Sequence, residues 1–460
     1  MVCVLAGACV RKQIASASGR LRYLAWVALL VPYLTPALIV GYAYSNFSLS
    51  LVRYPFWNEL LYDCPVWMKL ASVAALLLYL APTPYSAEAV HCRRLLRARE
   101  AGVRSLSSYF LFLVQGPLRP AGVAFAVVFL LAFGEFEMAS LFGVRTWTVS
   151  LFDAHAGGLA IAESLALMAL PMSAEIALLL FVWLILLQRG GATTAGQHRT
   201  AFSRATQVLI WAYLLAAGLA VTAVPAVIVL RGTVQGIRAL VENFVLWRDI
   251  GASVLFAAAA ATCAYVFAAT VAKYAFSTGH TRRWLVRTFM LAMPGLLGPL
   301  VLSLLIVFVF QSTGLRAVYD TPIPLVLALW LLLLPLALLL QVLLQVFEPG
   351  QPVHAAVLLA SSASQRVRKW RRKLIWELST KRQFWVLFLL FCWGYFDFTA
   401  SSILAPPAMT PVTVRLYNLA HYGQSAVLSA MVCAASCVPL ALILVAEGAR
   451  SFLSGLPAHE

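Results

Sequence analysis

The sequence predicts an all-helical protein that crosses a membrane about ten times and is built from two related halves. Hydrophobic residues make up 62% of the 460 residues and charged residues only 11%, with a mean hydropathy of +0.87. A soluble globular chain is nearer half apolar and a quarter charged. Several apolar runs exceed the ~18–20 residues that a helix needs to cross the hydrocarbon of a bilayer. Helices are expected because each satisfies its own backbone hydrogen bonds in lipid.

The relation between the halves is a repeat at an offset of 262 residues. Pro32 and Pro294 share this offset, and each lies early in an apolar run. Glu135 and Asp397 share it as well, and each ends a long apolar run and precedes a phenylalanine. Two-fold internal repetition in a polytopic membrane protein is typical of transporters, whose pathway lies between related halves.

The apolar runs give ten expected spans. They lie near residues 22–44, 66–83, 112–133, 160–188, 207–230, 250–275, 288–310, 323–346, 384–404 and 424–447. Pro117 and Pro120 place the start of the third run at the membrane surface, where a helix interruption leaves no backbone group stranded in lipid.

Basic residues predict the orientation of these spans. They concentrate in the amino-terminal segment and in the loops 84–108, 189–206, 273–287 and 348–383. The positive-inside rule places these loops and both termini in the cytoplasm. The net charge of +17 is therefore a signal of topology. No nucleic-acid partner is expected, because the charge lies beside the membrane.

The repeat also predicts the domain organisation. Residues 1–188 form a first half, 189–206 a cytoplasmic linker, 207–450 a second half and 451–460 a cytoplasmic tail. The second half has six spans, whereas the first has four and a short apolar stub at residues 1–13. At the offset of 262, this stub corresponds to the end of the span near 250–275. We therefore expect the first half to lack its first two helices, through truncation or a misassigned start codon.

One cytoplasmic loop carries a family motif in altered form. Ala355 and Ala356, with Ala360 four residues later, resemble the Glu-Ala-Ala and following Gly of the coupling helix in permeases of binding-protein-dependent ABC importers. His354 stands at the position of the glutamate and Ala360 at that of the glycine. The matching loop of the first half holds only fragments of the motif, which are Glu88 and the run Glu100, Ala101 and Gly102.

The branch that the chain resembles is the fused, two-half permease typified by ferric-iron and thiamine importers. This resemblance implies a type I ABC importer permease fold in a bacterial inner membrane. It further implies two copies of a cytoplasmic ATPase and a periplasmic or extracellular solute-binding protein as partners. Ferric iron is the first substrate that it suggests, with thiamine, sulfate and polyamines as alternatives.

The chain itself is not expected to be an enzyme. It contains no G-x-x-x-x-G-K-[ST] run, so ATP is expected to be used by the partner and no cofactor by this chain. Cys433 and Cys437 are four residues apart without an accompanying His or carboxylate. We interpret them as packing residues, and no metal site is expected.

Three acidic residues within the apolar runs are candidates for the translocation path, because buried charges are unfavourable in lipid. Glu135 and Asp397 lie near the outer ends of matching spans. They either line the path or hold a gate through hydrogen bonds, or they are hydrated at the headgroup level. Glu175 lies deep in its run and is either protonated or bonded to Ser173 or another helix, as a structural contact or a substrate site.

Two other classes of protein remain as alternatives. A secondary active transporter also uses internal repeats, and should show broken helices with converging polar groups in the membrane. A membrane-embedded enzyme should show paired acids or a histidine cluster at one membrane face, and the sequence offers neither.

Overall fold

The computed structural model describes most of the chain. The described residues are 1–51, 53–80, 92, 95, 116, 118–187, 202–241, 244–277, 281–312, 314–347, 380–421 and 425–455. Within them every regular element is a helix and no strand occurs.

Eight helices precede the predicted linker and eleven follow it in the described part of the chain. The first group is α1 (Val2–Ser16), α2 (Gly19–Leu34), α3 (Ala37–Leu51), α4 (Pro55–Leu80), α5 (Arg119–Phe133), α6 (Glu137–Leu141), α7 (Trp147–Ala156) and α8 (Ile161–Leu187). The second group is α9 (Arg204–Gly218), α10 (Val224–Val241), α11 (Phe244–Ser277), α12 (Thr281–Leu296), α13 (Pro299–Ser312), α14 (Arg316–Tyr319), α15 (Ile323–Phe347), α16 (Lys381–Tyr395), α17 (Thr399–Leu404), α18 (Val412–His421) and α19 (Ser425–Gly455). A π-helical turn, Leu219–Ala223, joins α9 to α10.

The expectation of an all-helical, multi-pass membrane protein is confirmed. Seven helical segments of the described chain are long and apolar enough to cross a membrane, and nine if each of two bent helix pairs counts as one span. These nine coincide in position with nine of the ten predicted spans. The tenth, predicted near 384–404, consists of the shorter helices α16 and α17 with a break between them.

Two of the predicted spans are bent at a proline. The helices α2 and α3 meet at 71°, and α12 and α13 meet at 91°. Thr35 precedes Pro36 and takes an extended ψ of 123°, because a residue before proline is disfavoured in the helical region. Gly298 precedes Pro299 with φ of +85°, a conformation that glycine adopts without strain. Each predicted run is therefore two helices, a difference that periodicity alone does not indicate.

Helix boundaries repeat at the offset found in the sequence. The helices α2, α3, α5 and α6 begin at residues 19, 37, 119 and 137, and α12, α13, α16 and α17 begin at 281, 299, 381 and 399, each 262 residues later. Packing partners repeat as well. The helix α1 packs on α4, where a Cβ on Gly7 would lie 2.7 Å from the Ala75 backbone nitrogen, and the corresponding end of α11 packs on α15.

The chain forms two compact units. The first comprises Met1–Ala226 with Arg282–Leu304, and its core draws buried residues from α1, α3, α4, α5 and α6. The second comprises Val227–Thr281 with Leu305–Glu460. In it, α11 carries a buried row of alanines and packs against α15 and α16, where Gly394 lies against Ala257. The predicted division into halves at residues 189–206 rests on the repeat and stays a prediction.

Candidate functional site

Glu135 lies in the first unit at the break between α5 and α6. Its Oε1 accepts a hydrogen bond from the Met138 backbone amide at 2.6 Å, and its Oε2 accepts from the Ala139 amide at 3.1 Å. These amides lie in the first turn of α6, where backbone N–H groups have no carbonyl acceptor within the helix. The Tyr62 hydroxyl donates a further bond to Oε2 at 2.9 Å. The carboxylate therefore holds the start of a short helix in place.

Asp397 has the same local role in the second unit. Its Oδ2 accepts from the backbone amides of Ala400 at 3.0 Å and Ser401 at 3.3 Å, in the first turn of α17. A threonine hydroxyl from the following helix bonds to the carbonyl of the acidic residue in both units, as Thr148 does to Glu135 and Thr413 to Asp397. Both carboxylates are thus bonded to protein groups. Their role in a path or gate stays a prediction.

The surroundings of the two acids differ. Tyr62 and Lys69 on α4 accompany Glu135, whereas the positions 262 residues later are Pro324 and Leu331. Lys69 donates to the Thr35 carbonyl at 2.6 Å and interacts electrostatically with Glu137 and Glu135. It thereby satisfies a carbonyl that the bend between α2 and α3 leaves without a helical partner.

The π-helical turn adds polar groups to this region of the first unit. The Tyr44 hydroxyl donates to the Ala220 carbonyl at 2.7 Å, and the hydroxyls of Thr35 and Thr222 lie 2.8 Å apart. A π turn interrupts the regular hydrogen-bond ladder, so side chains from neighbouring helices can bond to its backbone. Polar contacts in the first unit therefore gather at a helix bend, a helix break and a π turn.

Glu175 on α8 is 1% exposed, and neither carboxylate oxygen has a hydrogen-bond partner among the described residues. Ser173, one of its expected partners, instead donates to the Leu170 carbonyl at 2.7 Å. The carboxyl lies beside Gly134, where a Cβ would be 3.8 Å from Glu175 Oε1 and 3.7 Å from the Gly298 Cα. The structure thus places Glu175 against the break before α6.

The second unit contains an ion pair that the sequence analysis did not identify. Asp249, 1% exposed near the start of α11, pairs with Arg415 on α18. The Ser253 hydroxyl also accepts a hydrogen bond from the Val412 amide at 2.8 Å. These contacts tie the first turns of α11 to α18. The only sequence signal was an acid at the edge of an apolar run, which does not indicate a partner 166 residues away.

The predicted coupling residues lie outside the described part of the chain. They are Glu88, Glu100, Ala101, Gly102, His354, Ala355, Ala356 and Ala360. Sequence reasoning also passed over Tyr62 and Lys69, although a lysine inside the predicted span 66–83 was an available signal. Among the described residues, no group of three or more His, Cys, Asp or Glu side chains could hold a metal ion.

No protein family, curated protein or solved structure matches this chain. The class that the structure itself defines is an all-helical, multi-pass membrane protein with interrupted spans.

Proposed function

We propose that this chain is the permease subunit of an ABC-type importer in a bacterial inner membrane. The observation that carries the proposal is the recurrence of helix boundaries and packing partners at the offset of 262 residues. Related halves are a general property of membrane transporters. The motif fragments in both cytoplasmic loops then favour an importer driven by a separate ATPase over other transporters.

In this proposal one chain supplies both permease halves and docks two ATPase subunits. A solute-binding protein delivers a small solute, with ferric iron the first candidate and thiamine, sulfate and polyamines the others. Both termini and the loops 84–108 and 348–383 face the cytoplasm. ATP is hydrolysed by the partner, because the sequence has no Walker-type phosphate loop.

Copurification from mild detergent tests the assembly. We expect neighbouring reading frames to encode a Walker-type ATPase and a secreted solute-binding protein, and the chain is co-expressed with these two candidates. We expect the ATPase to copurify and uptake into proteoliposomes to require ATP. An ATPase variant lacking its phosphate-loop lysine is the control and should support no uptake. A tight homodimer of this chain without bound ATPase would contradict the proposal.

The double variant Ala355→Asp/Ala356→Asp tests the coupling loop. Two unpaired carboxylates in a contact between small residues are expected to weaken ATPase docking, since their desolvation is uncompensated. Uptake should fall while membrane insertion persists. Ser362→Asp/Ser364→Asp adds the same charges outside the motif and serves as the control. Unchanged uptake in the first variant would remove this loop from the coupling role.

A secondary active transporter is the second candidate, and the bent helix pairs favour it. Broken helices with polar groups gathered at the breaks are typical of such transporters. The first unit has such groups at Thr35, Lys69 and Glu135. Uptake driven by an ion gradient in proteoliposomes without any ATPase would support this candidate over the importer subunit.

A further inference from the structure

Glu175 differs from the other buried acids of the described chain. Backbone amides donate hydrogen bonds to Glu135 and to Asp397. Asp249 forms an ion pair with Arg415. Glu175 is 1% exposed, as is Asp249, yet both oxygens of Glu175 lack a partner among the described residues. An ionised carboxylate in that position has lost its hydration and gained nothing in exchange, which is strongly unfavourable. The form that fits this environment is the neutral carboxylic acid.

The contacts of Glu175 are with backbone rather than with charges. Gly134 follows the last residue of α5, so the carboxyl lies where α5 is interrupted before α6. Titratable groups also occur along the neighbouring elements: Arg119 on α5, Glu135 and Glu137 at the start of α6, Asp153 and His155 on α7, Glu163 on α8, and Arg282, Arg283 and Arg287 on α12. No charged group of the described chain forms an ion pair with Glu175.

A single proton is the species that fits the unpartnered carboxyl of Glu175. A hard metal cation needs several oxygen ligands, whereas the described residues contain no cluster of three acidic or other ligating side chains. One proton neutralises one carboxyl without further ligands.

We propose that Glu175 is a membrane-buried proton-binding site beside the break between α5 and α6, and that its ionisation draws water to that break. Loss of the proton creates a charge that only water or a counter-ion can stabilise there. This site does not depend on an ATPase partner and adds a pH-sensitive step to whatever transport the chain performs.

Labelling with dicyclohexylcarbodiimide tests the protonation state, because this apolar reagent attaches to protonated carboxyls in apolar surroundings. In the full-length protein in lipid, we expect an adduct at Glu175 at about pH 6 and at least tenfold less at about pH 9, because the reagent does not attach to an ionised carboxylate. A water-soluble carbodiimide should label the exposed Glu163 and leave Glu175 unmodified. Absence of an adduct at Glu175 in the folded protein at any pH would overturn the proposal.

Thermal stability of the variant E175Q gives an independent readout. Glutamine stays neutral at every pH, whereas Glu175 ionises in the unfolded chain and holds its proton in the folded one. The folding equilibrium constant of wild type should therefore fall by up to tenfold for each pH unit above the pKa of an ordinary carboxyl group. We expect equal Tm values at about pH 5 and a growing advantage of E175Q towards about pH 9. A lower Tm of E175Q at every pH would indicate an ion pair with another part of the chain, and the proposal would fail.

Discussion

Single carboxylates hold the short helices at the ends of two spans. Glu135 and Asp397 each bond to two amides in the turn that follows them, and a threonine hydroxyl bonds to the carbonyl of each. An acid near a helix amino terminus is favourable both through these bonds and through the helix dipole. In each unit, the bonds to the following short helix therefore account for an acidic residue at this position. The Tyr62 hydroxyl is an addition found only at Glu135.

The bond between Tyr62 and Glu135 predicts a measurable loss in a conservative variant. Tyr62→Phe removes one donor to the carboxylate, and we expect about 1.5–3 kcal/mol less free energy of unfolding, as for other bonds to charged groups. Unfolding in detergent, followed by circular dichroism, measures it. Tyr23→Phe, at a tyrosine 69% exposed on α2, is the control and should have no effect. Equal stability of the two variants would show that the bond contributes nothing.

The ion pair between Asp249 and Arg415 predicts unequal effects of single and double replacement. Arg415→Met leaves a buried carboxylate without its cation, and we expect a loss of about 3–5 kcal/mol. Asp249→Asn combined with Arg415→Met removes that charge and should lose clearly less. Unfolding free energies of both variants and of wild type decide this. A double variant as unstable as the single one would contradict the buried ion-pair interpretation.

Among the elements, α10 and α19 approach each other closely at two glycines. A Cβ on Gly236 would lie 2.6 Å from the Ala426 carbonyl carbon, and one on Gly232 would lie 2.6 Å from the Ser429 Cβ. Thr233, between these glycines, donates to the Ser429 carbonyl at 3.2 Å. Small residues four apart let helix backbones meet in lipid, where packing replaces the hydrophobic effect as the driving force.

This approach predicts that Gly236→Ala separates the two helices. We expect a loss of about 1–3 kcal/mol, typical of overpacking, and a lower Tm in detergent. Gly218→Ala is the matched control, because a Cβ there meets nothing within 4 Å and alanine is the better helix former. A Gly236→Ala variant as stable as this control would show that the close contact does not form.

The elements also show what the sequence could and could not predict. The spans were predictable because the free energy of transfer into lipid is a sum over local residues. The bend at Pro36 was marked by its proline, but its angle depends on what α3 packs against. The pairing of Asp249 with Arg415 depends on three-dimensional folding over 166 residues, which no local pattern records. Glu175 was predicted to lie deep in its span, and only the structure shows Gly134 beside it.

At the scale of the whole molecule, the distribution of basic residues predicts one orientation in the membrane. In a cysteine-free background, Ser203→Cys should react with a membrane-impermeant maleimide only after the cytoplasmic side is opened. Ala408→Cys, between α17 and α18, should react in intact cells. Both positions are exposed, so accessibility to water is the same at each. The opposite pattern would invert the topology, and with it the cytoplasmic placement of the coupling loops.

The π-helical turn has a consequence for how the chain tolerates length changes. Such a turn holds one residue more than the α-helical path between the same flanking helices, so it is equivalent to an insertion. Deleting Leu219, which is 51% exposed, should convert the turn to regular helix while α9 and α10 keep their faces. Leu230 is similarly exposed within α10. Deleting it turns the part of α10 after residue 230 by about 100° relative to the part before it, which should abolish folding. Expression and Tm of the two deletions measure this. The region around Leu219 is therefore where relatives of different length are expected to differ by a single residue.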